Sequence, residues 1–432
     1  SDLLLNFTES KEGVDVLDAH VQSVMMHHQL LGRMPTVAEH LETPFSVSEI
    51  VDALSQSSEF AGPDPTIPTP TINGTFEAGV LTLSGAAEGV VIIDAPNQTL
   101  TENGLPLPVD DLDWLTLAGI NTSAVTGSAV NIAGGDDLAV TVTVGSNAGT
   151  IALGELDDNL TLTAEPDPDS ASIDMGFGVN TVTLNKPMQI HLASQIQNVD
   201  AVTGSVGDDQ ISMPTSLLDQ ITIDLGDGID SILVSGGGVV DLTALAGITN
   251  VEHWRATDSE NYDFVGTPAD DSFYVGDGSN RVLAGEGADM IELGAGIDVI
   301  AYEAVTESQF DQAGGTLFVG DVVYGFDFSN DQVDLSFDID GEVASIEIAV
   351  GFASSLSATL AENDELTTAL STDNDGDDID AALVNVLSGS AAGSYLLVQG
   401  AAAAGVFDPA TDLVVQMQGV SNAGVFSPDL FI

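Results

Sequence analysis

From Thr71 onward, apolar and polar residues alternate in short runs stopped by Gly, Asn or Asp, as in Val80-Leu81-Thr82-Leu83, Val90-Val91-Ile92-Ile93 and Leu138-Ala139-Val140-Thr141-Val142. A period of two puts every second side chain on one face, so these runs predict half-buried β-strands. Short strands rich in Thr, Val and Ile suit either a sandwich or a solenoid, and the pattern leaves both open for residues 72–200. Before Thr71 the period changes. Val14, Leu17, Val21, Val24 and Met25 recur at three- and four-residue spacing, and Ser46 or Ser48 can cap a further helix through Ile50, Val51 and Leu54. Residues 1–60 therefore predict a small α-helical domain. The Pro-rich stretch Gly62-Pro63-Asp64-Pro65-Thr66-Ile67-Pro68-Thr69-Pro70 forbids helix and makes 61–71 a linker.

A stricter period appears between Gly266 and Ala301. Four nine-residue units, GTPADDSFY, VGDGSNRVL, AGEGADMIE and LGAGIDVIA, follow one another without slip. Asp271, Asn280, Asp289 and Asp298 occupy the sixth place, and Phe273, Val282, Ile291 and Ile300 the eighth. This is the calcium-binding β-helix nonapeptide G-G-x-G-x-D-x-U-x. The pattern predicts a parallel β-roll with a coil of eighteen residues, placing Asp271 over Asp289 and Asn280 over Asp298, with the eighth residues facing inward. Gly276, Gly278, Gly285, Gly287, Gly294 and Gly296 permit positive φ and leave backbone carbonyls free to face a cation, which bulkier residues would obstruct. Calcium takes six to eight oxygens, so carboxylates and carbonyls of adjacent turns would fill its shell together. Asp270 adds an acid beside Asp271. Asn280 carries no charge and Ala269 sits at a glycine place, so the N-terminal end of the array should bind more weakly.

Two further matches precede the array: Gly204 to Ile211, with Asp208 and Asp209, and Leu225 to Ile232, with Gly226, Gly228 and Asp230. Leu153 to Leu160 and Met175 to Val182 are weaker copies. The resulting division is a β domain over 72–200, a calcium-binding β-roll over 201–301, and a C-terminal region over 302–432 to which the resemblance described below gives the roles of β-roll cap and type I secretion region. The expected class is mainly β, a parallel β-roll or β-solenoid with further β domains and the small helical domain in front.

Charge sharpens this picture. The 432 residues carry 68 Asp and Glu against 5 Lys and Arg, a formal net charge of −63, so cations must screen or bridge the surface, and nucleic acid and anionic membranes are excluded as partners. Hydrophobic residues at 44% argue for a folded chain all the same. Cysteine is absent, which removes disulfides, thiolate metal sites and cysteine catalysis. No apolar run reaches 18 residues, so no transmembrane helix is expected, and Ser1 to His20 lack the basic and apolar regions of a cleavable signal peptide. Any export signal is expected elsewhere.

The repeats resemble those of the RTX (repeats-in-toxin) proteins, bacterial products exported by type I secretion with an uncleaved C-terminal signal. Val323-Tyr324-Gly325-Phe326-Asp327-Phe328-Ser329-Asn330-Asp331-Gln332-Val333-Asp334-Leu335-Ser336 resembles the segment following such arrays, whose aromatic residues would cap the roll. Thr411 to Val420 with Asp429-Leu430-Phe431-Ile432 resembles an RTX export tail. The resemblance implies several bound Ca2+ ions and a secreted or bacterial cell-surface location. At the other end, Leu30-Leu31-Gly32-Arg33-Met34-Pro35 and Ser57-Ser58-Glu59-Phe60 resemble a small helical domain attached to secreted and surface-layer proteins, although the tryptophan usual between those motifs is missing.

Catalytic text is lacking: there is neither H-E-x-x-H nor G-x-S-x-G. His20, His27 and His28 have no partner pattern and read as exposed. Asp110, Asp111 and Asp113 could serve glycoside hydrolysis, yet close acids are expected by chance in so acidic a chain. Asp373-Asn374-Asp375-Gly376-Asp377-Asp378 offers alternate acids without the Glu of a full EF-hand loop. The expected function is a non-enzymatic, calcium-dependent, self-assembling surface-layer or matrix protein whose helical domain contacts outer-membrane polysaccharide. The alternatives are an adhesin that binds carbohydrate through 72–200 and a secreted enzyme with an unfamiliar site there.

Overall fold

The computed structural model describes residues 71–136, 139–308, 320–336, 342–348, 379–387, 392–398 and 412–432. The chain divides into two units, Ser1–Pro70 and Thr71–Ile432. The predicted helices, His20, His27 and His28, and the acidic run Asp373 to Asp378 lie outside the described residues.

Thr71–Ile432 is a parallel β-solenoid of about eight turns, built as four sheets of nine, seven, eleven and five strands. The choice left open for 72–200 falls to the solenoid. Strands Thr141–Val144, Asn159–Leu162 and Thr181–Leu184 lie side by side, parallel and in register, in the first sheet. A sandwich joins neighbours by antiparallel hairpins. Here each neighbour arrives only after a full coil of chain, which is what parallel pairing requires. Alternation does the rest: Val142, Leu160 and Val182 are fully buried in the bore, while Thr143, Thr161 and Thr183 form a half-buried ladder outside. Each buried aliphatic contributes about 1.5–3 kcal/mol, and the outer β-branched threonines keep the strands extended.

The path of the coil changes along the axis. Up to residue 174 each turn visits the first and second sheets. Between residues 181 and 256 a third face opens, as the third sheet begins at Gln189–His191, the second ends at Ile196–Gln197 and the fourth begins at Gly238–Asp241. The nonapeptide array then winds between the third and fourth sheets alone. Its strands pair with an offset of eighteen residues, Phe273 beside Ile291 and Val282 beside Ile300, all four facing inward as expected. No break in pairing falls at residue 200, where strands Thr181–Leu184, Ala201–Thr203 and Thr222–Asp224 continue the first sheet.

Antiparallel strands close both ends of the coil, so the parallel sheets do not finish in bare edges. At the start, Asn73–Glu77 pairs back on Val80–Ala86, and Thr99–Glu102 on Val91–Asp94. At the far end, Leu413–Gln418 joins the third sheet beside Val322–Tyr324 and is covered by Gly393–Val398. Phe326, Phe328, Phe426 and Phe431 form a row of edge-to-face rings there, with centroids 4.9, 5.9 and 6.2 Å apart. The segment resembling an export tail is thus built into the closure of the solenoid.

Candidate metal-binding turns

The glycine-rich turns stack along the corners where one sheet passes to the next. In the array Asn280, Asp289 and Asp298 reach up to the preceding turn, while Asp271 accepts from Thr267 of its own. Asp289 Oδ1 accepts the backbone N–H of Asp271 at 2.8 Å, and Asp298 Oδ1 that of Asn280 at 2.9 Å. These are the vertical pairs the eighteen-residue coil predicts.

The fifth residue answers in the opposite direction. Asp270 Oδ1 accepts the N–H of Ala288 in the turn below at 2.9 Å, so two adjacent turns clasp each other reciprocally. The same clasp joins Asp157 and Asn180 with Val179 and Asp158, Asp208 and Asp230 with Ile229 and Asp209, and Asn261 and Asn280 with Ser279 and Tyr262. Asp208 therefore serves the backbone of the next turn. Asp209 uses both oxygens on backbone, accepting from Met188 N of the preceding turn at 2.9 Å and from Ser205 N of its own turn at 2.6 Å.

The second carboxylate oxygen distinguishes one turn from another. Oδ2 of Asp230, Asp289 and Asp298 is buried and accepts no hydrogen bond among the described residues, although each of these residues is at most 1% exposed, whereas Asp321 faces the buried Tyr302 hydroxyl and Asp158 the Gly154 backbone. A bare carboxylate oxygen away from water is expensive unless a proton or a cation meets it. The titration follows: burial, reinforced by the neighbouring Asp321 carboxylate, pushes Asp289 up to about 9, and burial raises Asp321 to about 7 and Asp298 to about 6. Burial also raises Asp158, Asp230 and Asp271.

Where asparagine stands in the same place, nothing is left over. The Asn280 amide donates to Gly276 O, Gly278 O and Asp298 Oδ1, each at 3.0 Å, and the Asn180 amide donates to Phe177 O and Asn198 O at 3.3 and 3.1 Å. An N–H2 group thus fills a space lined by carbonyls. An aspartate in that space offers only acceptors, and a hard cation is the complement of an all-oxygen lining. Among the described residues no three acid or imidazole side chains converge. A cation at Asp230, Asp289 or Asp298 would therefore draw most of its oxygens from backbone.

The glycines play two parts, turn conformation and close stacking, and some play both. Gly226, Gly285, Gly287 and Gly296 use the conformational freedom of glycine, with φ of +88°, +98°, +141° and +149°. Gly276, Gly278 and Gly294 do not, and neither does Gly228. They are needed because the turns stack so closely: a Cβ on Gly294 would strike the carbonyl of Gly276, one on Gly278 that of Glu260, and one on Gly228 the backbone of Gly207.

Two members of the ladder escape the nine-residue period. Asp321 accepts from Asp289 N and Asp331 Oδ1 from Asp298 N, both at 3.0 Å, continuing the two corners across longer insertions. Their signal in the sequence is local, an acid two places before an inward valine in Asp321-Val322-Val323 and Asp331-Gln332-Val333. Asp110, Asp111 and Asp113 lie in an exposed turn, where Asp113 caps the N–H of Leu115.

Neither a family model nor a curated protein matches this chain.

Proposed function

We propose that this chain is a calcium-dependent, self-assembling extracellular structural protein, a surface layer or matrix fibre exported by type I secretion. The observation that carries the calcium reading is the set of buried Oδ2 atoms without partners in glycine-rich turns, beside equivalent turns in which an asparagine amide fills the space. Asp230, Asp289 and Asp298 are the principal carboxylate ligands, with Asp270 and Asp271 framing the first turn of the array and Asp208 and Asp209 holding the turn above Asp230. The glycines from Gly226 to Gly296 let carbonyls close around the ion.

Self-assembly is supported by the charge of −63, which keeps copies apart until divalent cations neutralise and bridge them. Export before folding follows from linkage, since the sites do not exist in an extended chain and calcium is scarce inside a cell. Each site held at a hundred times its dissociation constant adds about 2.7 kcal/mol to the folded state. Residues 1–60 are the proposed contact with outer-membrane polysaccharide.

Electron microscopy of the full chain in millimolar calcium and in EDTA, with circular dichroism of both samples, tests the reading. Ordered sheets, tubes or fibres in calcium alone support it. Equal folding in EDTA removes the calcium mechanism, and calcium-dependent folding that yields only monomers removes assembly.

A further inference from the structure

The change of path in the middle of the solenoid leaves a step on its side. The second sheet stops at Ile196–Gln197, and the next turn returns from the third sheet to the first through the short 3-10 helix Thr215–Leu217, with no strand in the second sheet's place. The missing strand leaves a groove of about 530 Å³, within the usual range of ligand sites, roughly 300–1,000 Å³. Leu192, Ile196 and Ile221 form its apolar wall, and Asn198 and Gln220 its polar one. At its rim stands Phe177, at the tip of the Met175 to Asn180 turn and 75% exposed.

Phe177 has no packing role that explains it. Its ring stacks on no other ring among the described residues, and the turn is held without it, by the Phe177 N–H donating to Gly154 O at 2.9 Å, Val179 N–H to Asp157 and the Asn180 amide to Phe177 O. Beside it, the exposed Gln197 side-chain amide makes no hydrogen bond among the described residues, and Asp200 uses only Oδ2, towards Asn180 N. An exposed ring facing free amide and carboxylate groups is the chemistry that recognises a pyranose, whose C–H face packs on an aromatic ring while its hydroxyls meet planar polar groups. The surrounding charge narrows the ligand. Asp200 lines the groove, Asp174 accepts from the Asn198 amide, and no Lys or Arg is among the described lining, so in a chain of net charge −63 the site repels uronates, sulfated sugars and a second copy of this acidic chain.

We propose that this step is a binding groove for a neutral glycan, with Phe177 as the stacking platform and Gln197, Asn198 and Asp200 as its polar contacts. The proposal does not rest on the calcium reading. The turn that carries Phe177 is closed by the Asn180 amide, not by an orphan carboxylate.

Affinity electrophoresis of the full chain through gels containing dextran, laminarin, mannan or galactan, with alginate as the anionic control, tests it. Titration calorimetry with oligosaccharides of any polymer that retards the chain then measures affinity. The expected result is retardation by at least one neutral polymer and none by alginate, with Phe177→Ala and Gln197→Ala each lowering affinity at least tenfold at unchanged circular dichroism. Retardation by none of the neutral polymers, or binding that survives both substitutions, overturns the proposal. Stronger retardation by alginate also overturns it.

Discussion

Asp298 lies one turn beyond Asn280 and accepts from it twice, from the backbone N–H at 2.9 Å and from the side-chain amide at 3.0 Å. The pair sets a filled turn beside an open one in the same corner, since Asn280 satisfies two glycine carbonyls while Asp298 keeps a buried oxygen without a donor. Asn280→Asp should therefore separate structure from metal binding. Without calcium it loses three amide hydrogen bonds and places a second buried carboxylate against Asp298, a loss of about 3–5 kcal/mol. With calcium the new carboxylate completes a site, and much of the loss should return. Thermal melts of wild type and variant, each in EDTA and in calcium, check this. A variant equally destabilised in both conditions would count against a cation in these turns.

The calcium-free protein should lose stability as pH rises. Asp289, Asp321 and Asp298 have folded values of about 9, 7 and 6, above the ordinary carboxylate range, so between about pH 4 and 9 the folded chain holds protons that the unfolded chain releases. Stability from these groups is complete below the unfolded value and is lost as pH climbs through the folded ones. Melting temperature in EDTA should fall from pH 5 to pH 9. In calcium the fall should flatten, because the ion binds the ionised form, and binding near pH 7 should release protons detectable by calorimetry in buffers of different ionisation heat. A flat profile in EDTA would contradict the buried-acid reading.

How much of this was legible before the structure depends on turn length. In the array every turn has the same nine residues, so Asp271 over Asp289 and the inward Phe273 and Ile291 follow from counting. In the first sheet, Thr141, Asn159, Thr181, Ala201 and Thr222 stack at offsets of 18, 22, 20 and 21 residues. Corners of unequal length erase a sequence period although the strands stay in register, so 72–200 reads equally as sandwich or solenoid. Asp321 and Asp331 are hidden for the same reason, by offsets of 32 and 33 residues from Asp289 and Asp298. The orphan oxygens could not be read at all, because they depend on which donors the stacked turns present.

Close stacking also predicts an asymmetry among glycines. Gly294→Ala must push a Cβ into the Gly276 backbone of the turn above, and neither stacked turn can yield without opening the clasp. Gly104→Ala meets nothing within 4 Å and pays only for its φ of +79°. The first should cost about 3 kcal/mol or more and weaken calcium binding, the second about 1–2 kcal/mol with calcium affinity unchanged. Denaturant unfolding and calcium titration of both variants distinguish them, and similar losses at the two positions would show that turn separation is not what the array glycines protect.

The N-terminal closure depends on one acid of the opposite character. Glu102 is 3% exposed, yet it accepts from Thr71 N and Thr71 Oγ1 at 2.6 Å, Glu88 N at 3.0 Å and Ile72 N at 3.2 Å. Burial works to raise its pKa, but these donors outweigh it and the value lies below the ordinary one. Its stabilisation is thus present above the unfolded value and is lost as pH falls through the lower folded one, the reverse of Asp289. Glu102→Gln keeps the shape but replaces charge-assisted acceptors with a neutral amide that brings its own donors, a loss of about 2 kcal/mol. Because none of the proposed calcium turns lies at this end, calcium should not restore it. Hydrogen exchange should show residues 71–107 opening first in the variant while the array from Gly266 to Ala301 keeps its protection. Faster exchange spread evenly over both regions would mean that the closure does not act as a local lock on the first turns.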